Sequence, residues 1–272
     1  MEHTFHFIGG LPRSASTLLC NILYQNPRFH TTATSGCLEV MFTVRNVWND
    51  FPEHRANPDR DDDRRRLHRT LDGILRSYYG DIERPVVFDK SRGWPAYVEM
   101  LEVALGRKVK VLVPVRNLSD VLASFEKLHR KAVARNAGGR PPGETAQNYF
   151  QMQTVVGRCE WWMREDQPVG LAYVRICDAL ARGLRDRLHF VVAEELTRRP
   201  AEVMQGIYDF LGEKPFMHNF EQVEQITRED DGAHGHEDLH TIRPRVEPIE
   251  SNWRQVLGPV GEKWARAHQG LW

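Results

Sequence analysis

Residues 5–19 read Phe5-His-Phe-Ile-Gly-Gly-Leu-Pro-Arg-Ser-Ala-Ser-Thr-Leu-Leu19. The apolar run Phe5 to Ile8 predicts a short buried strand, Gly9 and Gly10 a tight turn, and Leu18 to Leu23 an apolar stretch at helical spacing. Strand, glycine turn and helix together form an anion site, because the first amides of a helix have no internal partner and its dipole adds partial positive charge. Ser14, Ser16 and Thr17 offer hydroxyl donors, and Arg13 offers a guanidinium fork that fits an oxyanion. Set against the phosphate-loop spacing G-x-x-x-x-G-K-[ST], Gly10 matches the first glycine, Ala15 takes the place of the second, and Ser16 takes that of the lysine. A triphosphate-using kinase thus lacks its lysine, and a different phosphate-bearing donor fits better, with arginine supplying the charge.

The length of 272 residues allows one large α/β domain or two small ones, and 41% apolar with 27% charged residues is ordinary for a soluble globular protein. A formal net charge of zero gives no global reason to expect a nucleic-acid or anionic-membrane partner. Cys20, Cys37, Cys159 and Cys177 lack metal spacing and read as free, mostly buried thiols. The expectation is a cytoplasmic protein with no signal peptide and no membrane span.

Further along, residues 28–37 read as a polar loop and Leu38 to Val47 as a helix with Glu39 near its start. Asp61-Asp-Asp-Arg-Arg-Arg66, acids first and bases later, reads as a solvated helix face continuing to Tyr79. Residues 85–88, 109–115 and 188–192 are further short apolar strands. Helices are expected from about Pro95 to Leu105, from about Ser119, twice across 144–187, from Pro200 to Leu211, and as a pair at the C-terminus; residues 137–143 read as a loop. Strands alternating with helices predict an α/β fold, a parallel sheet covered by helices on both faces, with the ligand beyond the C-terminal ends of the strands. Those ends carry Arg13 with its serines, Lys90, Arg116, and Glu194 with Glu195. Three of the four bring a cation to one rim, which points to an anionic ligand.

With these residues in place, Gly10-Leu-Pro-Arg-Ser-Ala-Ser-Thr-Leu-Leu19 resembles the 5′-phosphosulfate loop of sulfotransferases that use 3′-phosphoadenosine 5′-phosphosulfate (PAPS). Val115-Arg-Asn-Leu-Ser-Asp-Val-Leu-Ala-Ser-Phe125 resembles their 3′-phosphate motif R-[DN]-x-x-D-[VA]-x-x-S, with Arg116 and Ser124 at the matching positions. Phe88-Asp-Lys-Ser91, Val191-Val-Ala-Glu-Glu-Leu with Ile207-Tyr-Asp-Phe-Leu-Gly212, and Ile242-Arg-Pro resemble segments of the tyrosylprotein and heparan branch. Three departures stand out, one of them Ala193, where related proteins often place a tyrosine. Ala15 occupies a place usually held by glycine, and the position of that branch's catalytic glutamate falls near Thr34, with Glu39 the nearest carboxylate.

The resemblance implies a P-loop-like three-layer α/β fold across residues 1–272 as a single domain. It implies in-line transfer of the sulfuryl group of PAPS to a hydroxyl or amine, releasing 3′-phosphoadenosine 5′-phosphate (PAP), with no metal. Arg13 and the loop of Ser14, Ala15, Ser16, Thr17 and Leu18 would hold the phosphosulfate. Lys90 would serve the bridging oxygen, Arg116 and Ser124 the 3′-phosphate, Arg243 would close over the donor, and Glu39 is the candidate base. His30 and His129 read as structural histidines, and His234, His236 and His240 match no common zinc spacing. The acceptor would be a small molecule, a carbohydrate or peptidyl tyrosine. The alternatives are a nucleotide phosphotransferase sharing this sheet and loop, or a non-catalytic nucleotide-binding module.

Overall fold

The computed structural model describes residues 3–135, 143–234 and 239–267. Its centre is one five-stranded sheet of β1 (Thr4–Ile8), β2 (Phe29–Thr34), β3 (Val86–Lys90), β4 (Val111–Val115) and β5 (Leu188–Val192), ordered β2-β3-β1-β4-β5. All four pairings are parallel. The inner strands β3, β1 and β4 are largely apolar on both sides, as a sheet covered on both faces demands. Phe5 and Phe7 of β1, Val87 of β3, and Val111 and Val113 of β4 enter one core, while Ile8, Val86, Phe88 and Leu112 enter the other.

The helices sort accordingly. α1 (Ser16–Tyr24) covers the second face. On the first lie α2 (Cys37–Val47), α4 (Arg60–Tyr78), α5 (Val98–Leu105) and α6 (Leu118–Arg135), while the short α3 (Pro52–Ala56), which buries no residue, comes between α2 and α4 in the chain. After α7 (Tyr149–Met152), α8 (Val155–Trp162) and α9 (Pro168–Ala181) continue that layer. α10 (Ala193–Arg198) and α11 (Pro200–Leu211) return to the second face, and α12 (Trp253–Ala267) ends on the first. Gly106 and Gly212 stop α5 and α11 at φ 63° and 71°, the left-handed cap that glycine adopts without strain. No helix among the described residues is long and apolar enough to cross a membrane.

The expected α/β architecture and four of its strands are present. Residues 29–34, expected within a polar loop, form instead the edge strand β2, where Phe29 and Thr31 point inward and β-branched threonines tolerate the pleat. The helix expected from the Asp61 block to Tyr79 is α4, whose Asp59 cap accepts from the amide of Asp62 at 2.8 Å, and Asn57-Pro58 separates it from the short α3. Three helices rather than two fill 144–187. The expected C-terminal pair is present within Trp253–Ala267, as two short helices that meet at Gly258-Pro259, where Gly258 leaves the helical conformation at φ 68°. The loop expected at 137–143 lies, except for Gly143, outside the described residues.

Candidate active site

The rim of the sheet is built first by close backbone approach. A Cβ on Gly10 would stand 2.2 Å from the Pro114 carbonyl, and one on Gly9 would stand 2.6 Å from that of Ser91. Only glycines let the end of β1 pass between β3 and β4 here. The amides of Gly9 and Leu11 then donate to Leu112 and Pro114 at 2.9 Å each. Beyond them Arg13 and Ala15 both take left-handed backbone, φ 59° and 61°. Such a turn gathers successive N–H groups on one side, forming an anion-binding concavity. Ala15 caps α1 with no side-chain bond, and the amides of residues 14–18 meet no acceptor among the described residues. The helix start is open to an anion.

The expected residues gather around this cradle. Arg13 Nε donates to Ser124 Oγ at 3.0 Å, and its Nη1 donates to the Leu239 carbonyl. Arg116 Nη1 donates to the Arg13 carbonyl at 3.4 Å. Burial first, then the neighbouring Arg116 charge, pull the Arg13 guanidinium below its ordinary value, and Asp231 partly offsets them. Arg116 does not pair with Asp120, its i+4 neighbour, which accepts instead from Ser251 at 2.9 Å. Its Nε faces Glu194 Oε1 at 3.7 Å, and both atoms are buried with no hydrogen bond. That orphaned Nε–H is a donor waiting for an acceptor.

Lys90 ends β3 beside both β1 and β2, opposite Ile8 and Thr34. It is 6% exposed, and its Nζ donates to Glu229 Oε1 at 3.1 Å. The strand end is braced from behind by the buried Asp89 carboxylate, which accepts from Ser35 Oγ at 2.6 Å, Trp94 Nε1 at 2.7 Å and the Tyr79 hydroxyl.

Three expected contributions differ in the structure. Ser14 Oγ donates to the carbonyls of Leu11 at 2.5 Å and Pro114 at 3.1 Å, so its hydroxyl is spent on the loop and only its amide faces the cradle. Arg243 has an 82% exposed side chain, paired with Glu247 at 3.3 Å, and is not drawn to the arginine pair. Glu39 sits exposed in the first turn of α2, its charge felt by Cys37 and Asp89, with no bond to Lys90. Ser16 and Thr17 remain half-buried at the helix start.

Glu229 is the residue that the sequence reading missed. Its Oε1 also accepts from the amide and hydroxyl of Thr34, at 2.8 and 2.9 Å. Burial opposes its ionisation, but Lys90 and the Thr34 donors outweigh burial and hold the carboxyl below its ordinary value. Its Oε2 lies 3.5 Å from His240 Nε2, and Asp231 holds His240 Nδ1 at 2.6 Å. No local pattern marks Glu229, because its partners are 139 and 195 residues away in the chain. Among the described residues no group of three or more His, Cys, Asp and Glu is placed to hold a metal ion; His236 lies outside them.

A P-loop-like parallel α/β sheet with an arginine-lined anion cradle at its carboxyl rim defines the class of protein. The family model described as "Sulfotransferase family" matches residues 6–217, and the chain belongs to that family. Two solved structures share the fold. A sulfotransferase domain from the Synechococcus PCC 7002 olefin synthase is 18% identical, covering 99% of this chain and 96% of its own, with a TM-score of 0.53. Mouse sulfotransferase SULT7A1, solved complexed with PAP, is 14% identical, covering 98% and 83%, with a TM-score of 0.57. Among curated proteins none matches the chain in sequence.

Proposed function

We propose that this chain, as one domain in a reducing cytoplasm, transfers a sulfuryl group from PAPS to a hydroxyl or amine of an acceptor and releases PAP. The observation that carries the proposal is the convergence of Arg13, Ser124 and Arg116 before the unpartnered amides of residues 14–18. The PAP held by the similar mouse enzyme supports the same donor class. Three buried free cysteines, Cys20, Cys37 and Cys159, with Cys177 half-buried, suit a reducing compartment.

The donor supplies an activated sulfuryl group, and the protein's task is to hold charges and positions. Arg13 and the amides of residues 14–18 hold the 5′-phosphosulfate. Lys90, at the adjoining strand end, meets the charge that grows on the bridging oxygen. Arg116 and Ser124 take the 3′-phosphate, which satisfies the orphaned Arg116 Nε. Arg243 closes over the donor from the segment whose Leu239 already touches Arg13. These fixed cations meet the charge demand themselves. The acceptor's proton needs a base at the rim, and Glu39 is the carboxylate that its place in the sequence offers. A small molecule, a carbohydrate or peptidyl tyrosine would each present such an acceptor group.

Calorimetry with PAP, using ATP as the control ligand, tests the donor. Micromolar PAP binding, much weaker ATP binding and collapse in Arg116→Ala are expected. Equal ATP binding, or indifference to Arg116, would overturn the proposal.

A further inference from the structure

We propose that Glu229, rather than Glu39, is the general base that takes the acceptor's proton. This rests on the donor reading above. Three features of its carboxylate carry the assignment. First, it is the carboxylate on Lys90, the cation assigned to the leaving side of the reaction, at 3.1 Å. A group one hydrogen bond from that ammonium lies within a few ångströms of any sulfur whose bridging oxygen the ammonium serves. Glu39 has no such contact.

Second, its two oxygens are in different states. Oε1 accepts three hydrogen bonds, from Lys90 Nζ, the Thr34 amide and Thr34 Oγ1. Oε2 accepts none among the described residues, and the His240 ring faces it at 3.5 Å. One oxygen is anchored and the other has a lone pair to spare. Its side chain is 10% exposed, so water competes little for that oxygen. An open pocket of about 260 Å³ lies beside it, with Arg228, Asp231 and His240 among its lining.

Third, the anchors do not all leave together. The groups facing Glu229 are Lys90 and Arg92 from the end of β3, Thr34 from β2, and His240, itself held by Asp231. When Lys90 turns to a phosphate oxygen, the Thr34 amide and hydroxyl still hold Oε1. Losing a cationic partner makes the carboxylate more basic, at the stage when a base is needed. In the step itself the acceptor oxygen forms the new O–S bond. The bond from sulfur to the bridging phosphate oxygen breaks, its electron pair stays on the phosphate, and the acceptor's proton goes to Glu229 Oε2.

The test pairs PAP calorimetry with sulfuryl transfer between PAP and two aryl sulfates, phenyl sulfate and p-nitrophenyl sulfate. Run in this direction, the protonated Glu229 delivers a proton to the departing aryl oxygen. p-Nitrophenolate leaves readily without that proton, whereas phenolate needs it. Glu229→Gln should bind PAP as tightly as the native chain or up to about tenfold more tightly, since the anion seated on Lys90 is gone. It should lose on the order of 100-fold or more with phenyl sulfate and less than about tenfold with p-nitrophenyl sulfate. Equal losses on both sulfates, no loss on either, PAP binding weakened more than about tenfold, or a selective loss in Glu39→Gln alone would overturn the assignment. Failure of the native chain to bind PAP would instead overturn the donor reading beneath it.

Discussion

Arg116 and Glu194 face each other at 3.7 Å across the rim, each with a buried atom that makes no hydrogen bond. The pair is close enough to attract and too far apart to bond. An anion arriving between the arginines would find one donor already desolvated and unspent.

Substituting Glu194→Gln leaves the Arg116 charge without its counter-ion. The free protein should then be less stable, since an uncompensated buried charge is costly. Donor binding should restore the balance, so the rise in Tm on adding PAP should exceed that of the native chain by about 2–4 °C. Thermal unfolding with and without PAP checks both. An unchanged PAP-induced rise would show that the pair does not report on the ligand.

Ala15 holds φ 61° where a side chain is unfavourable. Glycine reaches this conformation freely, so Ala15→Gly should stabilise the protein by about 1 kcal/mol despite glycine's looser unfolded chain. Urea unfolding measures the change. Because the loop shape is already that of the left-handed turn, PAP affinity should move by less than about threefold.

Glu126 of α6 is fully buried and accepts from Arg158 Nε at 2.7 Å and Nη2 at 2.8 Å, and from Arg130 Nε at 2.7 Å. Burial opposes its ionisation, but the two arginines outweigh burial and hold its carboxyl below the ordinary 4.5. A carboxyl depressed in the folded state stabilises fully above its unfolded value, and that stabilisation is lost as pH falls through the folded one. Glu126→Gln should therefore cost about 3 kcal/mol at neutral pH. The gap to the native chain should narrow below about pH 4, which urea unfolding across pH will show. The same network anchors α8 to α6, the helix that carries Ser124.

Much of this was legible in the chain. Phe5 to Leu19 announced strand, turn and helix because each signal is local: apolar run, glycine pair, helical spacing. Arg116 and Ser124 were legible as a spacing of eight, one before α6 and one about two turns into it, but the bond that Ser124 makes is to Arg13, 111 residues away in the chain. The edge strand β2 was hidden because Phe29 to Thr34 is polar in composition, and only contact with β3 makes it a strand. The hydroxyl of Ser14 looked free to bind a ligand, yet Pro114, 100 residues on, turns it inward.

The sequence by itself determined the alternating strands and helices, the glycine turn into α1 and the cations at the strand ends. Each of these depends on neighbours within a few residues. Tertiary structure alone decided what those cations touch. Arg116 turned from Asp120 to Glu194, Arg243 stayed in solvent, and Lys90 received Glu229 from a late polar segment. Periodicity encodes which face is buried. It does not encode which distant carboxylate a buried ammonium recruits, since that choice is made by sheet order and by the cost of leaving a desolvated charge unpaired.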